Sequence, residues 1–333
     1  MLLVDQETVV RLLPMDECIR VVAEAFESLG RGEAVQPLRS VMWLPDRSGA
    51  LGMMPGYLGD PAVLGMKVIA VFPGNEGSEL DSHQGMVVLF DPDDGQPLAL
   101  IDATEITAVR TAAASGVATD VLARHDAARL ALLGSGTQAR AHLEAMTVVR
   151  DVAEVKIWSR TRRHAERFVD EHRHRIPARM EVSESPQEAV RDAEIVCTTT
   201  SAENPILEGA WLAAGCHVNA AGSSVPFARE LDGEAVRRSR LFVDRRESTL
   251  AEAGDFLLAA EEGLVDPDHI VAEIGEVLAG IDPGRTTEDE ITLFESTGLA
   301  VEDLAAARLV YDRAREEDAG SEVYLGGRRR KSK

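Results

Sequence analysis

The sequence predicts an α/β protein: a doubly wound parallel sheet domain joined to a second domain that mixes helices and strands. The chain has 333 residues, and at roughly 150 residues per domain this length suggests about two domains. From about residue 128 onward, short apolar runs alternate with helix-like segments, which is the pattern of a parallel sheet covered by helices on both faces. Before that point, helical segments and strand-like runs are mixed and are broken by Gly and Pro.

The first third contains two predicted helices and several short strands. Apolar residues at steps of three and four predict an amphipathic helix over 15–29, with Gly30 as its C-cap. An alanine-rich helix is predicted over 104–122. The Asp-Pro-Asp-Asp-Gly turn at 91–95 joins two strands in a hairpin. The strands of this region are predicted at 40–44, 65–72, 86–90 and 97–101.

The remaining two thirds alternate strand and helix. A strand over 129–133 leads into a helix over 137–149, and a strand over 155–158 leads into a helix over 162–172. An amphipathic helix from 299 to about 315 ends the pattern. Further apolar runs predict strands at 194–198, 217–220 and 240–244.

The charge of the chain argues against some classes of partner. With 57 acidic and 35 basic residues the net charge is −22, so we expect no nucleic-acid partner and no anionic membrane surface. The one basic run, at 328–331, is expected to be a solvated tail. The longest apolar stretches, such as 68–72, fall far short of the roughly 20 residues that a membrane span needs.

The cysteines and the start of the chain predict the compartment. Cys18, Cys197 and Cys216 form an odd, scattered set, which is unlike a disulfide scaffold, and they are expected to be buried thiols. The chain does not start with a basic segment followed by an apolar one, so no secretory signal is predicted. These features favour a cytoplasmic protein.

The clearest chemical signal is Gly-Ser-Gly-Thr-Gln-Ala at 134–139, the G-x-G-x-x-A form of the dinucleotide fingerprint. Gly134 permits the tight turn, Gly136 lets the backbone approach a pyrophosphate, and the N–H groups at the helix start face the anion. A strand precedes the motif and a helix follows it, as a Rossmann fold requires. Cofactor binding is therefore assigned to Gly134, Ser135, Gly136, Thr137 and Gln138.

The end of the second strand predicts which cofactor is bound. An NAD site usually has Asp or Glu there, about 20 residues after the glycines, to bind the ribose 2′-hydroxyl. Ser159, Arg160 and Thr161 occupy this position. A guanidinium and two hydroxyls can accept a 2′-phosphate, and no carboxylate repels it. NADP(H) is therefore favoured over NAD(H), which stays possible, as does an ordinary surface role for Arg160.

Three cations in the first third are candidates for binding an anion. Arg39 follows a Pro-Leu pair, Lys67 lies inside an apolar strand, and Arg110 lies on an otherwise apolar helix. Each alone could be a surface side chain. Because a buried cation is costly unless it is paired, the carboxylate of a substrate is expected to pair with Lys67 and Arg110.

His83 is the remaining candidate for chemistry. It lies in Ser-His-Gln-Gly just before a predicted strand, where it could donate a proton, contact a cofactor, or be an inert loop residue. The other histidines lack metal-ligand spacing, so no metal is expected. Hydrolase motifs such as G-x-S-x-G and H-E-x-x-H are also absent from the sequence.

Taken together, these residues resemble the ornithine cyclodeaminase/mu-crystallin family nearly from end to end of the chain. The Thr-Arg-Thr-Ala-Ala and Ser-Thr-Gly-Leu-Ala segments are specific in combination. The motifs that carry the resemblance lie at 65–67, 75, 82–84, 106–113, 134–139, 218–222, 229–232 and 294–300.

The resemblance implies a two-domain homodimer. A Rossmann domain over 121–299 would bind the dinucleotide, and residues 1–120 plus 300–333 would form an α+β domain for substrate binding and dimerisation. The family includes ornithine cyclodeaminases, alanine dehydrogenases, cyclic ketimine reductases and related opine-forming enzymes.

The resemblance also implies roles for single residues. By motif, Arg39, Lys67 and Arg110 match the family residues that hold the substrate carboxylate, with Lys67 also close to the reacting carbon. Gly298 falls in the loop near the nicotinamide. Thr111, next to Arg110 in its motif, is assigned to cofactor binding.

Two positions depart from the cyclodeaminase pattern. Cyclodeaminases carry a glutamate where this chain has Gly52 and an aspartate where it has Ser224. Without these two carboxylates, the ornithine amines lack their base. Ser224 is instead assigned to substrate binding, as in the mu-crystallin ketimine-reductase branch.

The expected function is therefore NAD(P)H-dependent reduction of a small imino acid, or the reverse oxidation of an amino acid. Arg39 and Arg110 would orient the carboxylate, and Lys67 or a water that it positions would handle the proton. One alternative is a true ornithine cyclodeaminase. Another is a non-enzymatic protein that binds small ligands.

Overall fold

The computed structural model describes residues 1–75 and 78–325, and within them the chain forms two β-sheets. The first sheet is mixed, and its strands run in the order β15-β1-β6-β5-β4-β3-β2. β1 pairs with β6 in parallel, and the other neighbours are antiparallel. Its strands are β1 (Leu2–Val4), β2 (Ser40–Trp43), β3 (Ala50–Gly59), β4 (Ala62–Val71), β5 (His83–Phe90), β6 (Pro97–Asp102) and β15 (Ser321–Glu322).

The second sheet is parallel throughout its described strands and runs in the order β13-β12-β14-β11-β10-β7-β8-β9. From β7 the chain adds β8 and β9 on one side, and then β10 and β11 on the other. This reversal confirms the doubly wound sheet and places a crevice between β7 and β10, where such sheets bind ligands. Its strands are β7 (Arg129–Leu133), β8 (Glu154–Trp158), β9 (Arg179–Val182), β10 (Ile195–Thr198), β11 (His217–Ala220), β12 (Arg240–Val243), β13 (Ile270–Glu273) and β14 (Thr292–Glu295).

The helices confirm the five that the sequence predicts, which are α2, α3, α4, α5 and α11. The six others are short, with at most eight residues each. The helices are α1 (Gln6–Leu12), α2 (Met15–Gly30), α3 (Ala103–Leu122), α4 (Thr137–Val149), α5 (Arg162–His172), α6 (Pro186–Val190), α7 (Gly233–Arg238), α8 (Arg246–Glu252), α9 (Gly254–Glu261), α10 (Ile274–Leu278) and α11 (Ala300–Glu316). Among the described helices, none has the length and apolarity to cross a bilayer.

The predicted cap of α2 is wrong. Gly30 is the last helical residue, and Arg31 is the cap, with its N–H bonded to the Glu27 carbonyl. A Cβ added to Gly30 would lie 2.2 Å from the Gly275 carbonyl oxygen. Gly30 is therefore a point of close contact between α2 and α10, and its lack of a side chain is what permits that contact.

The long hairpin β3–β4 positions the site, although the sequence did not predict β3. Pro55 and three glycines interrupt the apolar pattern of β3, so its sequence resembles that of a loop. Gly56 on β3 and Gly65 on β4 allow helix α11 to lie directly on the sheet: a Cβ at Gly65 would be 2.7 Å from Leu304 Cδ2, and one at Gly56 would be 3.2 Å from Ala300 Cβ. The start of α11 is thereby held next to Lys67 on β4.

The two sheets occupy separate stretches of the chain. The strands of the mixed sheet lie before residue 103 and after residue 320, and those of the parallel sheet lie between 129 and 295. Helix α3 links them, and it contacts β5 of the first sheet and β11 and β14 of the second. The predicted domain limits, 1–120 plus 300–333 and 121–299, stay a prediction. The basic run at 328–331 lies outside the described residues.

Candidate active site

The glycine-rich turn between β7 and α4 has the geometry that a pyrophosphate requires. Gly134 has φ +131°, its N–H donates to the Trp158 carbonyl at 2.9 Å, and a Cβ there would lie 2.5 Å from Thr199 Oγ1. Gly136 is the N-cap of α4, and no side chain caps the helix. A Cβ at Gly136 would meet no heavy atom of the described chain within 4 Å. The backbone N–H groups at this helix start, where Thr137 and Gln138 lie, therefore fit an incoming phosphate.

The end of β8 lies beside this turn. Ser135 Oγ donates to Ser159 Oγ at 3.0 Å, so the two predicted cofactor segments are in contact. Arg160 is exposed and has no ion-pair partner within 1–75 and 78–325. Thr161 is the N-cap of α5, and its side chain makes no capping bond. A guanidinium and two hydroxyls therefore occupy the position where an NAD site has a carboxylate.

Lys67 is buried by the fold of the mixed sheet. Its side chain is 2 % exposed, and Nζ lies 2.8 Å from both carboxylate oxygens of Asp303 on α11. Thr107 Oγ1 on α3 is 3.4 Å away. Burial and the charge of Arg110 lower the pKa of Lys67 to about 8, while Asp303 opposes that change. An ammonium with this pKa can release its proton near neutral pH.

Arg110 lies on α3 and shares a carboxylate with Lys67. Arg110 Nε donates to Asp303 Oδ1 at 2.8 Å, and Nη1 donates to Glu302 Oε2 at 2.9 Å. Burial lowers the pKa of Arg110, but Asp303 and Glu302 outweigh burial and raise it. Thr111, the next residue, is 8 % exposed.

Glu302 and Asp303 are functional candidates that the sequence reasoning missed. The expected counter-charge for Lys67 and Arg110 was a substrate carboxylate, whereas the chain itself provides two. Burial raises the pKa of Glu302, and its contact with Arg110 opposes that rise. A signal for them existed, because two adjacent acids follow Ala-Val and precede Leu-Ala-Ala in an otherwise apolar helix start.

Arg39 reaches the same place from the segment before β2. Its Nε lies 2.7 Å from Glu252 Oε2 at the end of α8. Its Nη2 donates to the Thr297 carbonyl at 2.5 Å and lies 3.4 Å from the Gly298 carbonyl. Arg39 thus joins the mixed-sheet side of the site to the loop that follows β14.

The loop 296–298 is fixed by Asp244, which directly follows β12. The Asp244 carboxylate accepts the N–H groups of Thr297 at 2.6 Å and Gly298 at 2.7 Å. Gly298 has φ +80°, and a Cβ there would lie 2.5 Å from Arg110 Nη1. The loop therefore lies directly against the Arg110 guanidinium, and only a glycine fits at this point.

The structure brings Arg39, Lys67, Arg110 and Gly298 together. His83 begins β5 opposite Val71 of β4, and its Nδ1 lies 2.9 Å from Ser82 Oγ. Partial burial lowers the pKa of His83, and the charges of Lys67 and Arg110 lower it further, against Asp81.

Ser224 lies half-buried in the segment after β11. In the part of the chain that the structure describes, neither Ser224 nor His83 forms a hydrogen bond or ion pair with Arg39, Lys67 or Arg110. Within the described residues, no direct contact with these three cations therefore supports the predicted roles of Ser224 and His83.

A second group of buried acids, Glu230 and Asp255, lies beside the crevice. The sequence analysis included only Glu230, as part of the motif at 229–232. Glu230 Oε1 accepts from the N–H and the hydroxyl of Thr200, both at 2.6 Å. Asp255 Oδ1 accepts from the N–H groups of Glu230 and Leu231. Burial raises the pKa of Glu230 to about 7. Glu230 thus joins the segment after β11 to the segment after β10, and Asp255 joins the segment after β11 to α9.

Comparison with known proteins gives consistent matches. The model of the ornithine cyclodeaminase/mu-crystallin family matches residues 1–318. The ketimine reductase mu-crystallin of Mus musculus is 42% identical over 281 residues, which cover 84% of this chain and 86% of the relative. The structure of Thermococcus litoralis Δ1-pyrroline-2-carboxylate reductase, a complex with NADH and L-proline, has a TM-score of 0.95 and 39% identity, and covers 97% of this chain and 100% of its own. An archaeal alanine dehydrogenase dimer with bound NAD has a TM-score of 0.93 and 35% identity, over 98% and 99%.

Proposed function

Because the chain belongs to the ornithine cyclodeaminase/mu-crystallin family, we propose that it is an NAD(P)-dependent reductase of small cyclic imino acids, or a dehydrogenase of the corresponding amino acids. The observation that carries the proposal is the convergence of Arg39 and Arg110 on the loop after β14, with Lys67 sharing the Asp303 carboxylate with Arg110. That loop lies at the same edge of the parallel sheet as the phosphate-binding turn after β7.

In this proposal each group has one task. Gly134, Ser135, Gly136, Thr137 and Gln138, with Thr111, hold the dinucleotide, whose nicotinamide supplies a hydride to the carbon of the C=N bond. Arg39 and Arg110 bind the substrate carboxylate and orient the ring. Lys67 exchanges the proton at the substrate nitrogen, with His83 as the second candidate. Ser224 and Gly298 complete the substrate pocket.

The cofactor that we propose is NADP(H) rather than NAD(H). The support is the position of Ser159, Arg160 and Thr161, where Arg160 is exposed and has no carboxylate partner in the described chain. The structural relatives described above bind NADH or NAD, so NAD(H) stays an alternative for this chain.

We propose imine reduction rather than ornithine cyclisation on the basis of Gly52 and Ser224. Cyclisation needs a base to deprotonate the attacking amine. Gly52 has no side chain, and a Cβ there would already lie 3.3 Å from Ile69 Cγ2. The Ser224 hydroxyl is far too weak a base.

One assay tests the function. The protein is incubated with NADPH and a cyclic ketimine carboxylate, and separately with L-ornithine and NAD. Loss of absorbance at the nicotinamide band in the first reaction is the expected result. Release of ammonia from ornithine without net change in the cofactor would instead identify a cyclodeaminase. If neither reaction occurs, a binding protein is the better account.

The assembly and compartment belong to the same proposal. Residues 1–120 plus 300–333 would bind substrate and dimerise, and 121–299 would bind the cofactor. An apolar edge strand supports a homodimer, since Val41, Met42 and Trp43 on β2 are 41–53 % exposed. The cytoplasm is proposed because Cys18, Cys197 and Cys216 are all free and buried.

A further inference from the structure

The charged side chains at the start of α11 form a balanced set, which we call the inner set: Lys67, Arg110, Glu302 and Asp303. Their side chains are at most 6 % exposed. Glu302 accepts from the Leu299 N–H and from Arg110, and Asp303 accepts from Arg110 and Lys67. The set has two cations and two carboxylates, and each carboxylate accepts from N–H donors, so the formal charge of the inner set is zero.

The third cation is balanced in the same way. Arg39 lies 2.7 Å from Glu252, and both side chains are 17–18 % exposed. Each arginine or lysine proposed to bind the substrate carboxylate is therefore already matched by a carboxylate of the chain. The site contains strong N–H donors but no surplus of positive charge.

This balance decides which ligands the site tolerates. A ligand that carries only a carboxylate adds one uncompensated negative charge to a buried, neutral set, and burying an unpaired charge is strongly unfavourable. A zwitterion adds two opposite charges that sum to zero. Its cation is also attracted by the field of Glu302 and Asp303, while its carboxylate meets the arginines.

We infer that Glu302 and Asp303 make this site select zwitterionic ligands over simple carboxylate anions. The preferred substrate is then a cyclic imino acid whose ring nitrogen is protonated, and a 2-oxo acid is a poor substrate. The inference rests on the proposed function and specifies the charge state of its substrate. Glu302 and Asp303 act as positioning and charge-setting residues, because they contact the substrate-binding cations.

Two ligands of the same shape test the inference without any mutation. L-Proline is a zwitterion, and cyclopentanecarboxylate has the same ring size and the same carboxylate but no ring nitrogen. Their dissociation constants are measured by calorimetry on the full-length protein with NADPH bound. We expect L-proline to bind at least about ten-fold more tightly. Equal affinities would overturn the inference.

A variant then assigns the preference to α11. Asp303→Asn keeps the shape of the side chain but removes one negative charge, so the preference for L-proline should fall by about ten-fold, chiefly through tighter binding of cyclopentanecarboxylate. The matched control is Asp312→Asn on the same helix, where the carboxylate pairs with Arg308 and is 46 % exposed. The control should keep the wild-type ratio. Because the readout is a ratio within one protein, loss of active protein does not change it.

The outcomes separate this inference from the proposed function. If the wild-type protein neither reduces a cyclic imine nor binds L-proline, the proposed function is wrong and the inference falls with it. If the protein reduces the imine but Asp303→Asn leaves the ratio of the two ligands unchanged, only the inference is wrong.

Discussion

At the scale of single residues, Arg110 connects the two carboxylates of α11 with the loop after β14. Its Nε and Nη1 donate to Asp303 and Glu302, which fixes the plane of the guanidinium, and Nη2 forms no hydrogen bond within residues 1–75 and 78–325. A lysine cannot reproduce this arrangement, because an ammonium is a point charge on a flexible stem. The geometry of Arg110 should therefore matter more than its charge.

Arg110→Lys is expected to reduce kcat/KM for the imino acid by about ten-fold or more while NADPH affinity stays the same. Steady-state kinetics and a separate cofactor titration measure the two effects. A thermal melt checks that the buried ion pairs still allow the protein to fold. Wild-type kinetics in this variant would show that Arg110 has only a structural role.

Arg160→Ala is expected to weaken NADPH binding by about 1.5–3 kcal/mol, the loss typical of a hydrogen bond to a charged group, and to leave NADH binding nearly unchanged. Titration with both cofactors measures the difference. Arg167→Ala is the control, since Arg167 is also exposed but lies further along α5 and faces Glu171. Equal losses for NADPH and NADH would contradict the role of Arg160.

At the scale of elements, the site depends on a loop and a helix from distant parts of the chain. The loop 296–298 is fixed by Asp244 at the end of β12 and lies against Arg110 on α3. The glycine in it serves two purposes, because its φ of +80° favours glycine and its missing Cβ leaves room for the guanidinium. These two effects can be separated by experiment.

Gly298→Ala is expected to raise KM for the imino acid by ten-fold or more, because the new methyl would lie 2.5 Å from Arg110 Nη1 and displace the guanidinium. A ten-fold rise corresponds to a loss of about 1.4 kcal/mol of binding free energy. Gly280→Ala is the matched control: Gly280 has φ +72°, but no heavy atom of the described chain lies within 4 Å of a Cβ there. Both variants should lose stability in thermal melts because of the positive φ, Gly298→Ala more because of its clash with Arg110, and only Gly298→Ala should lose substrate affinity. The same KM in both would exclude a specific contact.

At the scale of the whole molecule, the buried carboxyls make stability depend on pH. Burial raises the pKa of Glu230 to about 7, against 4.5 for an exposed glutamate. Between these values the folded state binds more protons than the unfolded state, so the free energy of unfolding falls as the pH rises. Asp255 and Glu295 act in the same direction, because burial raises the pKa of each and their charges repel one another.

Glu230→Gln should therefore flatten this dependence and stabilise the protein above pH 7 by up to about 3 kcal/mol. The bond from Thr200 is kept, because the amide oxygen can replace Oε1. Denaturant unfolding at several pH values between 5 and 8 measures the effect. Glu247→Gln, on the exposed face of α8, removes the same charge and should not change the slope. An unchanged slope in Glu230→Gln would show that this carboxyl is ionised in the folded protein throughout the range.

The sequence predicts much of the parallel sheet and its phosphate turn, because the signals there are local. The run 129–133 and the glycines of 134–136 specify a strand, a turn and a helix start within ten residues. It also predicts that Lys67 and Arg110 are buried. It does not predict β3, because Pro55 and the glycines resemble a loop and the strand forms only through long-range pairing with β4. The roles of Glu302 and Asp303 depend on how α11 packs, which local patterns do not show.

The position of Glu302 and Asp303 on α11 has a consequence for synthesis on the ribosome. Lys67 and Arg110 precede their shared counter-ion by 236 and 193 residues. The nascent chain therefore produces both cations long before Asp303 emerges, and burying them early would leave two charges unpaired. We therefore expect the mixed sheet and α3 to close over these side chains only after the start of α11 has left the exit tunnel. This order of translation would delay maturation of the site until residue 303 is free of the ribosome, and pulse-labelled intermediates that end before residue 300 should remain sensitive to protease.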